Sequence, residues 1–181
     1  CELKDNGHYR LGVHIADVSR YVKPRSALDK EAYQRGNSVY LADRVIPMLP
    51  FELSNDLCSL NEGKERYAIS CIMDVDPNGI VTLEKITPSI IKVARRCTYP
   101  EINQAFDEGI VSEGLQKFLP MLTVFKECTH LLRKQREGRG ALTFDFPEYK
   151  VALDEKGAPL RIIKRERGEA ERMIEDAMIA A

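Results

Sequence analysis

The sequence predicts an α+β domain: a mixed, largely antiparallel sheet built from hairpins and packed by helices. Three observations carry that reading. Tyr9, Leu11, Val13 and Ile15 alternate with Arg10, Gly12, His14 and Ala16, the period of a strand with one buried face. The turn sequence Pro77-Asn78-Gly79 separates two runs with strand character, the clearest hairpin signal in the chain. Leu115, Phe118, Leu122, Phe125 and Leu132 recur at helical spacing within residues 112–137.

The remaining elements follow in order. Ser26 with Asp29 three residues on has the form of a helix-opening capping box, and Gly36 closes that helix. Residues 38–41 read as a short strand. Pro47 and Pro50 then exclude regular helix or central strand and predict an ordered loop. The first hairpin occupies residues 67–76 and 80–86. Residues 100–107 read as a helix, and Pro120 predicts a kink or split in the long helical stretch. A second hairpin is expected at 150–153 and 160–164, around Asp154-Glu155-Lys156-Gly157. A last helix from about Glu169 places Ala170, Ile174, Ala177, Met178 and Ala181 on one stripe. With no internal repeat, low-complexity tract or Gly/Ser-rich linker, one domain over 1–181 is the economical reading.

Composition narrows the function classes. The 181 residues are enough to bury a core, and no apolar run approaches the roughly 20 residues that cross a bilayer. Cys1, Cys58, Cys71, Cys97 and Cys128 are odd in number and hold no CxxC pair, so reduced thiols in a cytoplasmic protein are expected, without zinc or a disulfide framework. A formal net charge of −1 argues against a globally basic nucleic-acid binder, while leaving room for a channel that concentrates cations locally. Both ends read as cut from a longer protein, since neither a signal peptide nor a helix stop is present.

Candidate chemistry is sparse. His14 and Asp17, three apart on a strand, would point to opposite faces and could not share an ion, and His8 and His130 have no convergent donors. There is no GxSxG elbow, P-loop or GxGxxG, so covalent catalysis and nucleotide cofactors are unsupported. Asp17, ending an apolar strand, has two readings: an accessory acid at the sheet edge, or a cap for the turn at Val18 and Ser19. Glu175 flanks the last helix's apolar stripe, where acids commonly form a solvated face. The clusters Arg133-Lys134-Arg136-Arg139 and Lys164-Arg165-Arg167-Arg172 could meet phosphate or simply face water, being interleaved with acids.

A longer pattern adds a sharper expectation. HIADVS at 14–19, RGNSVYL at 35–41, VIPMLP at 45–50 and LSNDLCSLN at 53–61 occur in order. Together they resemble the catalytic domain of the ribonuclease II and ribonuclease R exoribonucleases. The resemblance implies a fragment of a processive enzyme that hydrolyses single-stranded RNA from its 3′ end to nucleoside 5′-monophosphates, with Mg2+ or Mn2+. It assigns Tyr40, in SVY, to clamping the 3′-terminal nucleotide, a role suited to sequence-tolerant stacking. Phe144 or Phe146 becomes the candidate for a second stacking ring, and Glu175 for a contact to the terminal nucleotide, where a carboxylate can accept from the ribose 2′-OH. The family's metal-binding aspartates, in a DxDDA-like motif, would fall before Cys1, and its catalytic arginine beyond Ala181. The chain itself is therefore expected to bind no metal and to be inactive, with a non-catalytic RNA-binding relative or a protein-interaction domain as rival readings.

Overall fold

The computed structural model describes residues 1–142, 146–165 and 167–181, with Arg165 as backbone only. Its centre is a four-stranded antiparallel sheet of order β1-β2-β5-β6, formed by β1 (Glu2–Leu3), β2 (Tyr9–Ala16), β5 (Glu65–Val75) and β6 (Val81–Lys92). Two separate hairpins flank it: β3 (Val39–Tyr40) with β4 (Val45–Ile46), and β7 (Glu148–Leu153) with β8 (Pro159–Arg165). The α+β class with antiparallel pairing is thus what the alternation and turn signals foretold. Pro88 sits in β6, an edge of the sheet, where a residue lacking an amide hydrogen is tolerated.

Register decides what the sheet buries. Leu11 pairs with Met73, and Val13 with Cys71, so their side chains share one face. On that face lie α4 (Leu119–Gly138) and α5 (Glu169–Ala180), and Leu11, Met73, Val75, Cys128, Leu132 and Ala177 form the main core. A smaller core joins Ile102, Ala105, Leu115 and Ala170, linking α2 (Tyr99–Asp107) and α3 (Glu113–Gln116) to α5. The helical layer stops short of β6, whose Leu83, Ile86 and Ile90 are exposed. Ile15 is also half exposed, so the buried stripe of β2 ends at Val13.

Local chemistry sets the element ends. In α1 (Ala27–Arg35), Ser26 Oγ accepts from the Asp29 amide at 3.2 Å, and Gly36 ends the helix at φ 72°. Asp29 reaches back to the Arg25 amide at 2.7 Å, one residue earlier than a capping box requires. Pro120 splits the long helical stretch as its chemistry demands: α3 ends before Lys117, and Pro120 lies in the first turn of α4, where its missing amide hydrogen costs nothing. The proline-punctuated loop leads into a π-helical turn, Glu52–Leu57, rather than remaining irregular.

The last helix departs from the expected stripe. Ala170, Met173, Asp176 and Ala177 are buried, whereas Ile174 and Met178 are about half exposed. The helix is rotated because its N-terminus is held by Asn103, which accepts from the Ala170 amide at 2.8 Å, and its middle is held by charge. Asp176, 4 % exposed, accepts from Arg133 Nε at 2.7 Å and is ion-paired with Arg136 Nη2 at 2.9 Å. Two guanidiniums from α4 thereby fix which face of α5 turns inward, and two apolar side chains are left outside.

Candidate functional site

Tyr40 stands on the β3–β4 hairpin, where Val39 pairs with Ile46 and Tyr40 with Val45. The hairpin is short, but its closure is well bonded: the Leu41 amide donates to the Arg44 carbonyl at 2.8 Å, and the Met48 amide to Ser38 Oγ at 2.9 Å. Arg35, at the end of α1, reaches the Pro47 carbonyl. The tyrosine ring is 78 % exposed, so it belongs to no core layer and its face is open to a ligand.

Asp17 lies just past β2, before a 3-10 turn over Val18–Arg20. Its side chain accepts from Ser19 Oγ at 2.5 Å and caps no backbone amide; its carbonyl takes the Arg20 amide instead. The turn-cap reading of Asp17 is therefore corrected, because the turn is closed by the main chain and the carboxylate takes the neighbouring hydroxyl instead. Glu175 is partly exposed and ion-paired with Arg167 and, at 3.8 Å, with Arg136. Arg136 bridges Glu175 and the buried Asp176, so Glu175 is held at the rim of the charge network. Phe144 lies outside the described residues, and Phe146 is 75 % exposed. Tyr40 and Glu175 have no contact with each other among the described interactions.

The histidines have structural partners. His8 Nδ1 lies 2.5 Å from Asp74, and His130 Nε2 2.7 Å from Glu169. His14 Nδ1 meets Ser70 Oγ at 2.6 Å, Ser70 meets Ser89 Oγ at 2.5 Å, and Ser89 donates to the Ala68 carbonyl. A carbonyl only accepts, so the hydroxyls point one way and His14 carries its proton on Nδ1. Burial, then the N-terminal ammonium, lowers the His14 pKa and favours that neutral form.

Among the described residues, no three His, Cys, Asp or Glu side chains converge to hold a metal. Three scattered aspartates are each engaged by basic side chains: Asp43 by Arg44, Asp56 by Arg66 and Lys64, and Asp74 by Lys4 and His8. The hydrogen bond from His8, then that from Lys4, draws the Asp74 pKa below the usual carboxylate range. These donors do not fit a divalent ion. Cys128, fully buried, has its thiol pushed up to about 11 by desolvation, which keeps it neutral and unreactive.

Sequence reasoning missed Asp176. Its signal was present, because Ala170, Met173 and Ala177 form a stripe of their own with Asp176 on its edge. A stripe of small residues flanked by an acid was outweighed by the larger Ile174 and Met178.

Comparison with known proteins places this arrangement. The family profile described as RNB domain matches residues 1–181. The chain belongs to the RNB domain family. Ribonuclease R 2 of Lactococcus lactis is 49 % identical over 181 residues, a match covering 97 % of this chain and 27 % of that relative. Mycoplasma genitalium RNase R, solved in complex with ribose-methylated single-stranded RNA, superposes with a TM-score of 0.92 at 32 % identity, over 99 % of this chain and 28 % of that one. The same protein in complex with double-stranded RNA gives a TM-score of 0.93 at 32 % identity, over 99 % of this chain and 32 % of that one. The chain thus spans about a quarter to a third of the length of the relatives it matches.

Proposed function

We propose that this chain is the RNA-gripping wall of an RNB-type exoribonuclease that removes nucleotides from the 3′ end of single-stranded RNA. The observation that carries the reading is Tyr40: a ring 78 % exposed, on a hairpin braced by side-chain and main-chain bonds. A fixed, open aromatic face stacks on any base, which a general degrader needs, and stacking contributes about 1–3 kcal/mol per base. Phe144 is the proposed second ring, and Glu175 accepts a hydrogen bond from the terminal ribose, sharing its carboxylate with Arg136 and Arg167. The relatives' complexes with RNA support the same ligand class. Mg2+ or Mn2+ would supply an activated water in the whole enzyme, and the 181 residues by themselves are expected to bind RNA without cutting it. Five unbridged cysteines suit a reducing cytoplasm.

The test is a time course on 3′-tailed RNA with the full-length protein, with and without magnesium. Tyr40→Ala is expected to change the length of the final undegraded fragment. An unchanged end product would remove Tyr40 from the site, and magnesium-dependent release of mononucleotides by the 181-residue chain would overturn its inactivity. A non-catalytic RNA-binding relative is the rival outcome of the same test: the full-length protein would retain RNA but never shorten it.

A further inference from the structure

The stretch that carries Tyr40 is held differently from the central sheet and its helices. No residue between Val13 and Leu53 is buried, and α1 contributes none to either core. On the β3–β4 hairpin itself Val39, Leu41, Val45 and Ile46 are exposed beside Tyr40, so neither face of the ladder is sealed against a core. The hairpin has no extensive contact with another strand or helix. Apolar burial, which places β2, β5, α4 and α5, therefore does not place the tyrosine.

What remains is hydrogen bonding, and Ser38 and Arg35 supply it from outside the ladder. A two-stranded hairpin is marginal in water by itself. The tip is closed by the main-chain bond from the Leu41 amide to the Arg44 carbonyl. The base is closed by Ser38: its Oγ, one residue before β3, accepts from the Met48 amide, two residues past β4, at 2.9 Å. That bond joins the chain's entry to its exit, so the pairs Val39–Ile46 and Tyr40–Val45 are boxed in at both ends. Arg35 acts one step further back. Its Nε is held by Glu31 at 2.8 Å and its Nη1 reaches the Pro47 carbonyl at 3.4 Å, which ties the exit to α1. The serine bond is the shorter and the better shielded of the two. One such bond shifts a local equilibrium by roughly two- to tenfold. Losing it is too little to unfold the domain and enough to change how often the ring stands in one place.

We propose that Ser38, supported by Arg35, is the positioning residue of the Tyr40 ring: it touches no nucleotide and acts by holding the hairpin that presents the ring to the RNA end. This deepens the reading of Tyr40 as a stacking face and rests on it. A serine suits the task because its short side chain keeps the hydroxyl close to the backbone, where it accepts a main-chain amide. Alanine would take that acceptor from the Met48 amide and leave the base of the hairpin open, whereas threonine would keep it.

Digestion of 3′-tailed RNA by the full-length protein, run beside Tyr40→Ala, tests the role. Ser38→Ala combined with Arg35→Gln is expected to move the final undegraded fragment to the length that Tyr40→Ala produces. Ser38→Ala alone should give a mixture of that length and the parent's, and Ser38→Thr should keep the parent's. In a Tyr40→Ala background the Ser38 and Arg35 changes should add nothing. A second readout needs no RNA. The 181 residues contain no Trp, so Tyr40→Trp puts a single indole on the hairpin. Its fluorescence anisotropy should fall when Ser38→Ala is added and hold when Ser38→Thr is. Unchanged anisotropy, or Ser38 and Arg35 variants that keep the parent's fragment while Tyr40→Ala alters it, overturns the positioning role and leaves the Tyr40 reading intact. A Tyr40→Ala protein with the parent's fragment, alongside an anisotropy that still falls, overturns the Tyr40 reading and leaves Ser38 bracing a hairpin without that task.

Discussion

The two long hairpins of this protein are closed by the same chemistry and end in opposite circumstances. In the β5–β6 turn, Asp76 Oδ1 accepts from the Asn78 and Ile80 amides at 2.9 and 2.8 Å, and Gly79 takes φ 78°. In the β7–β8 turn, Asp154 Oδ1 accepts from the Lys156 and Ala158 amides at 2.8 Å each, and Gly157 takes φ 81°. Both also place a register shift within the ladder. Yet β5 is buried beneath α4 and α5, while β7–β8 has no extensive contact with them and leaves Leu160 and Ile162 at 66 % and 71 % exposure. Identical turns make hairpins; they do not decide whether a hairpin becomes core or stays exposed. That is settled by what the helices above can cover and by whether charges find mates.

The glycines break the comparison most sharply. Both occupy left-handed backbone, but a Cβ on Gly79 would lie 2.4 Å from the Leu131 carbonyl of α4, whereas one on Gly157 meets nothing within 4 Å. Gly79→Ala should therefore cost about 4 kcal/mol, backbone strain plus a clash that moves the helix, and Gly157→Ala only about 1 kcal/mol. Urea denaturation of the two variants measures the difference, and equal losses would mean that the first turn is not pinned against α4.

The side chains give the next contrast. Met73, 1 % exposed on β5, touches the main core, so Met73→Ala should destabilise by about 3 kcal/mol. Ile162→Ala, on the exposed β8, should stay within about 0.5 kcal/mol. A large loss from Ile162→Ala would show that this hairpin is packed in solution.

Acid sensitivity provides the smallest effect. Amide hydrogen bonds from Ile80 and Asn78 hold Asp76 below the ordinary carboxylate range, and Asp74 is lowered by His8 and Lys4. Burial raises the Glu169 carboxyl, but hydrogen bonds from Arg133 and His130 outweigh it and leave the pKa lowered. Depressed folded-state values mean that the unfolded chain takes up protons first as pH falls. The stabilisation is complete above the unfolded carboxylate range, near pH 4–4.5, and is lost on acidification through the lower folded values. Asp76→Asn should flatten the pH dependence of the denaturation midpoint between about pH 5 and 3 relative to the parent chain; an unaltered slope would remove the turn carboxylate from the acid response.

Much of the architecture was legible in the residues. Alternation from Tyr9 to Ile15 located β2, the turns at Pro77-Asn78-Gly79 and Asp154-Glu155-Lys156-Gly157 located both hairpins, Ser26 and Gly36 bounded α1, and Pro120 marked the split in the long helical stretch. These depend on bonds within a few residues, which the chain writes locally. The ordered blocks from His14 to Asn61 carried the family, which the RNB profile matches along the full chain.

The sequence by itself determined the hairpins, the caps, the α+β class and the family, because turn chemistry and hydrophobic period act over short range. Only the tertiary structure decided which face of α5 is buried, which hairpin is covered and which cations stay unpaired. Asp176 illustrates the reason: it meets Arg133 and Arg136 from positions 43 and 40 residues earlier, and no local pattern encodes that encounter. Where such long-range pairing occurs, the charges fix a helix; Lys150, Arg161 and Lys164 on β7–β8 have no such partner among the described residues and stay exposed.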